Sequence, residues 1–584
     1  MKWDLTFFYV SPEDENIKKD LEYSLEKIEN IKKKYYTELE KNNLKEEILK
    51  TFFEESEKVA SLLGKVNMYA YLLYSENTQL KNSQKLLSFV EDKYNQAMTN
   101  LSFWKTQLLK QDLKKLEEFR KSETLKNYRH TLDLLVKEKQ HTLSEDAEKI
   151  LKTMRITSRD SFGNLYDKLT SSYMFEFNVD GRVKELTGDQ MRSLRLHKDK
   201  EIRRSAMKSF FERVQKDNLV IEHAFNSIVK NYGTESKLRK FDKPIHMKNF
   251  ENEADNLSVN ALIDITTEKT SLVHKYYKWK SEYLNEKLTL ADIYAPMEVE
   301  EKEYSWEEAQ KIVLEAFYAF DKEMGDIAKE FFDENRIDAQ ITPGKTGGAY
   351  CYSGLPNKKP FVLLNFDGRM SDVMTLAHEL GHGIHGCLAS EQTYLNFRTP
   401  LTTSEIASVF AEMLVVDKLL KTLDEENKKV FIASKIEEFF ATMFRQNMFA
   451  RFELAAHDLI SEKSYASWDE LSDIYEKELK IMFGSSVEIT PEFKNEWACI
   501  SHVFEVPFYV YAYNYANLLV FALYEKFLEN GKEFVPIYKQ LLKDAAKDSP
   551  ENLLRKAGID ITDKNFWRKG FDFIENYFMK QINI

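Results

Sequence analysis

The chain has 584 residues, 43% of them apolar, and a formal net charge of −12. This length can bury a large core, and the acidic balance gives little electrostatic support for nucleic-acid binding. No apolar run approaches the roughly 20 residues that span a bilayer, and the first residues lack the pattern of a signal peptide. We therefore expect a cytoplasmic protein that is not embedded in a membrane, and its three widely spaced cysteines suit a reducing compartment. The sequence does not define an oligomeric state.

The low content of proline and glycine, 11 and 18 residues, favours long helices packed closely together. Ser11 and Pro12 indicate the start of a helix. Apolar residues then recur every three or four positions from Ile17 to Tyr35, which is typical of an amphipathic helix with one buried face. Similar helical patterns dominate the chain, so the expected fold is mainly α.

The first break in this pattern is the segment Phe175–Val183. Alternating apolar residues there flank Asp180-Gly181, which predicts a β-hairpin with a tight turn. Helical patterning resumes after it. We place a domain boundary near this hairpin, predicting an N-terminal helical lobe over residues 1–190 and a second domain over residues 191–584.

Five of the glycines cluster within residues 343–368 and punctuate two short apolar runs. Ala349–Tyr352 and Phe361–Asn365 are predicted to be strands of a small sheet. Ser371 and Asp372 follow and can cap the next helix. One strand could be an edge strand that binds an extended peptide, and the alternative is a structural hairpin packed on that helix.

The next helix carries the motif His378-Glu379-Leu-Gly-His382. Residues four apart lie above one another on a helix, so the two imidazoles can bind one metal ion. Such a motif predicts a zinc site with Glu379 as general base beside the position of a water molecule. The alternative is a solvated helix with histidines four apart by chance, and random placement gives about 0.03 such motifs per chain at this composition.

A catalytic zinc site needs a third protein ligand. Residues from Thr402 onwards read as a new capped helix, on which Glu405 is a candidate ligand. Spacing alone does not select Glu405, because acidic residues are plentiful. Glu412 lies two turns further along the same face and suits a hydrogen bond to a ligand histidine. His385 also lies near this face, but the ligand set is complete without it.

These motifs resemble those of the thimet oligopeptidase and oligoendopeptidase F family of zinc peptidases, most closely the oligoendopeptidase F branch. The resemblance extends over most of the chain through Trp3-Asp-Leu, Ser158–Phe162, Tyr294–Met297, Gly347–Tyr350, the His378 motif and the segment from Glu405 to Glu412. It implies that His378, His382 and Glu405 are the zinc ligands and that Glu379 is the base. It also implies a mainly α, elongated, two-lobed helical body with a deep substrate channel and a small β-sheet beside the zinc helix. Residues 191–584 would form the catalytic zinc-peptidase domain, and the Arg398–Pro400 loop is a candidate for the channel wall.

The family also contributes a histidine and tyrosines from a late segment to the tetrahedral intermediate. His502 is the matching histidine, and the tyrosines we select are Tyr509 and Tyr513, with Tyr511 in reserve. The tyrosines alternate with other residues, which alone would predict a strand. The resemblance instead implies a helix or a tight turn after Pro507. Tyrosines in such a stripe can also be core residues with bonded hydroxyls.

The sequence thus predicts a zinc-dependent oligoendopeptidase that uses one Zn²⁺ per chain to hydrolyse internal bonds of short unfolded oligopeptides. Two alternatives remain. A zinc carboxypeptidase with a related channel would share the motif and trim free C-termini. A non-catalytic peptide-binding protein with a structural zinc would need a closed site of four ligands, which the motif does not provide.

Overall fold

The computed structural model describes residues 2–297 and 302–584. Helices predominate and the strands are few and short, so the predicted mainly α fold is confirmed. Up to residue 297 the elements are α1 (Glu15–Tyr35), α2 (Glu46–Glu76), α3 (Lys81–Leu101), α4 (Phe103–Lys110), α5 (Leu113–Lys121), α6 (Arg129–Lys139), α7 (Glu145–Arg155), α8 (Arg159–Ser171), β1 (Met174–Val179), β2 (Arg182–Thr187), α9 (Gly188–Ser193), α10 (Lys200–Gln215), α11 (Asn218–Leu238), α12 (Pro244–Glu251), α13 (Asn256–Glu268) and α14 (Ser271–Tyr283).

From residue 302 onwards, helices again outnumber strands. These elements are α15 (Trp306–Phe320), α16 (Lys322–Asp333), β3 (Ile337–Asp338), β4 (Tyr350–Tyr352), β5 (Phe361–Leu363), α17 (Met370–Leu388), α18 (Leu401–Ser404), α19 (Ile406–Leu420), α20 (Glu425–Phe439), α21 (Arg445–Lys463), α22 (Trp468–Phe483), α23 (Ser501–Glu505), α24 (Tyr511–Asn530), α25 (Phe534–Asp544), α26 (Pro550–Lys556) and α27 (Lys564–Phe573). Within the described ranges, no helix is both long enough and apolar enough to cross a membrane.

The chain forms two compact units, each assembled from three separate stretches. Unit 1 contains Met1–Thr142, Glu301–Thr422 and Lys526–Ile559, and unit 2 contains Leu143–Glu300, Leu423–Glu525 and Asp560–Ile584. The predicted boundary at residue 190 divides the chain along its length, and it stays a prediction, as do the elongated shape and the channel.

The predicted hairpin is present in unit 2. Strands β1 and β2 pair antiparallel from Met174 opposite Thr187 to Val179 opposite Arg182. Asp180 and Gly181 form the two-residue connection with positive φ angles of 53° and 80°. Both angles are positive in the turn that matches strand twist, which explains why Asp-Gly occurs here.

A second sheet lies in unit 1 and has the strand order β3-β5-β4. Strand β5 pairs parallel with β3 and antiparallel with β4, so β4 is an edge strand. Both β4 and β5 contact α17, which confirms the small sheet beside the motif helix. The two-residue strand β3 was not predicted, because such a short segment carries no alternation.

Two helix starts differ from the prediction. Asp14 caps α1, which begins at Glu15, so Ser11 and Pro12 precede the helix. Helix α17 begins at Met370, so Ser371 lies in its first turn. Asp372 nevertheless caps this helix, since its carboxylate accepts hydrogen bonds from the backbone N–H groups of residues 367 and 369.

Candidate active site

The motif helix α17 is held in the core of unit 1 by close contact with α19. Gly381 faces the backbone of α19, and a Cβ atom there would lie 2.6 Å from the carbonyl oxygen of Ala407. Gly383 likewise accommodates the ring of Phe331 on α16. These glycines let α17 approach its neighbours, which brings the histidine face of α17 towards the start of α19.

We expect Gly381→Ala to destabilise the protein, although alanine is the better helix former by about 1 kcal/mol. The added Cβ would also lie 2.7 Å from the Cα of Ser408, so the backbones of α17 and α19 must separate. Such overpacking typically costs about 1–3 kcal/mol. The measurement is the midpoint of thermal unfolding.

Gly233→Ala is the matched control, since Gly233 lies within α11 and a Cβ there meets nothing within 4 Å. This control should be neutral or stabilising. If Gly381→Ala raised the midpoint as Gly233→Ala does, the close approach of α17 to α19 would be wrong.

Three candidate ligands converge at this contact between helices. One ligand atom from each of His378, His382 and Glu405 lies within 4.8 Å of the other two. The Oε2 atom of Glu405 is 3.4 Å from Nε2 of His378 and 3.3 Å from Nε2 of His382. All three side chains are half-buried. Two imidazoles and a carboxylate form a donor set that fits Zn²⁺.

Glu405 reaches this position because the chain breaks there. The predicted continuous helix from Thr402 is wrong: α18 ends at Ser404, and Glu405 is the residue that precedes α19. The Ser408 hydroxyl, one turn further on, donates a hydrogen bond of 2.6 Å to Oε2 of Glu405. Burial would raise the pKa of Glu405, but hydrogen bonds and charges from His382, Ser408 and His378 lower it to about 2. Glu405 is therefore held as a carboxylate.

Glu412 contacts the Nδ1 atom of His378, as its spacing predicted. Its Oε1 atom is 2.7 Å from Nδ1 of His378. Burial would lower the pKa of His378, but this hydrogen bond and the nearby carboxylates raise it to about 9. Because Glu412 engages Nδ1, Nε2 is the atom that faces His382 and Glu405. This arrangement suits a metal-binding histidine whose ring is oriented by a carboxylate.

We expect Glu412→Ala to weaken zinc binding by about 10–100-fold, the usual effect of removing such a support. Glu412→Gln should lose less, because an amide oxygen still accepts from Nδ1 but carries no charge. Zinc affinity is measured by competition with a chelator of known affinity. Equal affinity in all three proteins would show that Glu412 does not support the site.

Glu379 is the most buried carboxylate of the motif helix, with 6% of its surface exposed. Burial raises its pKa, and the charges of His378 and His382 oppose this only in part. A raised pKa brings a carboxylate closer to the operating range of a general base.

His385 lies outside the ligand cluster, and burial lowers its pKa to about 4.

The other predicted site residues cluster within unit 2. His502 stacks on Tyr509 with ring centroids 5.8 Å apart, and its Nε2 atom is 3.3 Å from the hydroxyl of Tyr513. Tyr511 is fully buried and accepts a hydrogen bond from Asn252, so it is a core residue. Tyr509 and Tyr513 are half-buried. A strand here would be wrong: α24 begins at Tyr511 after a turn.

A buried acid that the sequence did not single out holds this turn. Glu453 on α21 is 1% exposed and accepts a hydrogen bond of 2.8 Å from the backbone N–H of Phe508. Phe508 has a φ of 60°, which is uncommon for a bulky residue. Glu453 therefore stabilises a strained backbone next to Tyr509. No sequence motif could indicate it, because it lies far from residue 508 along the chain.

We expect the free energy of unfolding of Glu453→Gln to increase relative to that of the natural protein as the pH rises. Burial raises the pKa of Glu453 to about 8 from an ordinary value of 4.5. Between these values the unfolded chain has lost the proton that the folded chain keeps. The natural protein thus loses up to about 1.4 kcal/mol of stability per pH unit across this window.

Glutamine cannot ionise but can still accept from Phe508. Denaturant unfolding of both proteins at pH 5 and pH 8 measures the difference. A difference in stability that stays constant between the two pH values would contradict the buried, protonated state of Glu453.

Comparison with known proteins places the chain in a family. The profile described as peptidase family M3 matches residues 193–573, and that described as oligopeptidase F matches residues 107–175. An oligoendopeptidase F homolog from Borreliella burgdorferi is 28% identical over 572 residues, which cover 96% of this chain and 94% of the homolog.

Two solved structures share the fold. A candidate peptidase from Chlamydophila abortus superposes with a TM-score of 0.91 at 23% identity, covering 100% of this chain and 98% of that one. Oligoendopeptidase F from Enterococcus faecium has a TM-score of 0.68 at 22% identity, with 97% of each chain covered. Together with the sequence matches, the helical fold defines a metallo-oligopeptidase. The chain belongs to peptidase family M3, whose profile spans more than half of it, and the non-catalytic alternative is therefore wrong.

Proposed function

We propose that this enzyme is a zinc-dependent oligoendopeptidase that hydrolyses internal bonds of short unfolded peptides. The observation that carries the proposal is the convergence of His378, His382 and Glu405 beside the buried Glu379. The first three residues would hold one Zn²⁺ per chain. The relatives named as oligoendopeptidase F support the oligopeptide substrate. We also propose a cytoplasmic location, which the three free cysteines suit.

When bound, zinc would supply a Lewis acid that polarises a carbonyl and lowers the pKa of a water molecule from its bulk value to about 7. Glu379 accepts the proton of the attacking water on its carboxylate and then delivers it to the leaving amine nitrogen. Glu412 holds the imidazole of His378 through Nδ1, which leaves Nε2 as the atom that would bind the metal. No side-chain nucleophile is required.

The outer edge of β4 would bind the substrate in an extended conformation. Among the described residues, β4 pairs with β5 along one edge and is an edge strand of the sheet, and it contacts α17. Main-chain hydrogen bonds along such an edge recognise a peptide without depending on its sequence. This mode suits an enzyme that acts on many short peptides and on few folded proteins.

For His502, Tyr509 and Tyr513 we propose hydrogen bonds to the oxyanion of the tetrahedral intermediate. The support is the family resemblance and the clustering of the three side chains within unit 2. A donor of this kind typically contributes about 10²–10³ in turnover. The deeply buried Tyr511 is not included.

Mass spectrometry of a peptide of roughly ten residues, blocked at both ends, separates this activity from that of a zinc carboxypeptidase. An endopeptidase cuts the blocked peptide internally, and the cuts disappear after chelation and return with zinc. A carboxypeptidase leaves the blocked peptide intact and trims an unblocked version one residue at a time. Trimming alone would contradict the proposal.

A further inference from the structure

A pocket of about 410 Å³ opens beside His382, entirely within unit 1. Its walls come from the end of β4, from the face of α17 that carries His382 and His385, and from the loop that precedes α18. The pocket thus adjoins both the candidate zinc ligands and the edge strand that would bind substrate.

Arg398 gives this pocket a positive wall. No aspartate or glutamate is among the residues that line it, and Arg398 is exposed. Within the described part of the chain, no carboxylate forms an ion pair with Arg398. The nearby Glu405 is already engaged with the two histidines and with Ser408. The pocket lining thus carries the positive charge of Arg398 and no carboxylate, on a chain whose net charge is −12.

The guanidinium of Arg398 lies beside Gly354, just after β4. A Cβ atom at Gly354 would lie 3.5 Å from Nη2 of Arg398 and 3.4 Å from the ring of Tyr352. The φ angle of Gly354 is not positive, so its backbone does not require glycine. The missing side chain instead leaves the guanidinium open to a ligand.

A peptide that extends along β4 would pass this pocket close to the scissile bond. Successive side chains of an extended peptide alternate between two sides, so one of them can enter a pocket at the end of the strand. A planar guanidinium binds a carboxylate through two parallel hydrogen bonds. We propose that the pocket is a substrate subsite for a carboxylate and that Arg398 selects it. This inference rests on the proposed peptidase function.

The carboxylate can be an acidic side chain or the C-terminus of the peptide. A series of end-blocked peptides in which each glutamine in turn is replaced by glutamate tests the side chain. The same peptides with a free C-terminal acid or an amide test the terminus. We expect the natural enzyme to prefer the carboxylate at one position by about tenfold in kcat/KM, as a charge-assisted hydrogen bond predicts.

Arg398→Ala should abolish this preference, and Arg398→Glu should reverse it in favour of lysine. Gly354→Glu should also abolish the preference, because it places a carboxylate of the protein itself beside the guanidinium. Gly354→Gln is its control, since glutamine has the same size without the charge. Arg129→Ala is the charge control, because Arg129 is an exposed unit 1 residue paired with Glu123 and does not line the pocket. The preference should survive in Arg129→Ala.

An unchanged profile in Arg398→Ala and Arg398→Glu would overturn the subsite. If the natural enzyme cut no peptide, the proposed function would fail, and binding would decide the subsite separately. For that purpose, fluorescence anisotropy measures labelled glutamate and glutamine peptides bound to zinc-loaded Glu379→Gln. Tighter binding of the glutamate peptide that disappears on adding Arg398→Ala supports the subsite, and equal affinities overturn it.

Discussion

Glu379→Gln is expected to bind zinc normally and to lower kcat by about 10²–10⁴-fold, the usual contribution of a general base. Glutamine has nearly the same volume as glutamate, so it fits a site where the side chain is 6% exposed. Its amide has no proton-accepting site at neutral pH, so the water would attack without a base. Steady-state kinetics and the zinc content of the same preparation measure both properties.

Glu391→Gln is a suitable control, because Glu391 is exposed and follows α17 outside the ligand cluster. It makes the same chemical change and should leave kcat within about twofold, as expected for an exposed residue away from the chemistry. If Glu379→Gln kept the turnover of this control, Glu379 could not be the base. If it lost zinc as well as turnover, the loss of kcat would not report on proton transfer.

His382→Ala and Glu405→Ala are each expected to lose zinc more severely than the about 10–100-fold predicted for Glu412→Ala, because each removes a ligand rather than its support. Turnover should fall with zinc content. Zinc is measured by elemental analysis after dialysis against a moderate chelator.

His385→Gln is the control for these variants, because it changes a histidine on the same helix that lies outside the cluster. It should retain zinc. Retention of zinc by Glu405→Ala together with loss by His385→Gln would show that the third ligand has been assigned to the wrong residue.

The motif helix could be predicted from the sequence because its chemistry is local. Helical geometry alone places His378 above His382 on one face of α17. The Asp180-Gly181 turn was predictable for the same reason, since its two positive φ angles favour these residue types.

Features that depend on distant contacts could not be predicted. Periodicity gave one helix from Thr402, whereas the chain breaks at Glu405 so that its carboxylate meets two histidines of another helix. The tyrosines near residue 511 alternate like a strand, but Tyr511 is buried against Asn252, which only the packing of unit 2 determines. Glu453 was missed because a buried acid far along the chain carries no local signal.

The central claim is that one zinc ion held by His378, His382 and Glu405 is required for hydrolysis. The most direct test is to remove metal from the protein and titrate zinc back while measuring bound zinc and turnover of an end-blocked peptide together. We expect turnover to rise in proportion to bound zinc and to reach its maximum at one ion per chain. Full turnover in metal-free protein, or a maximum that needs more than one ion, would contradict the account.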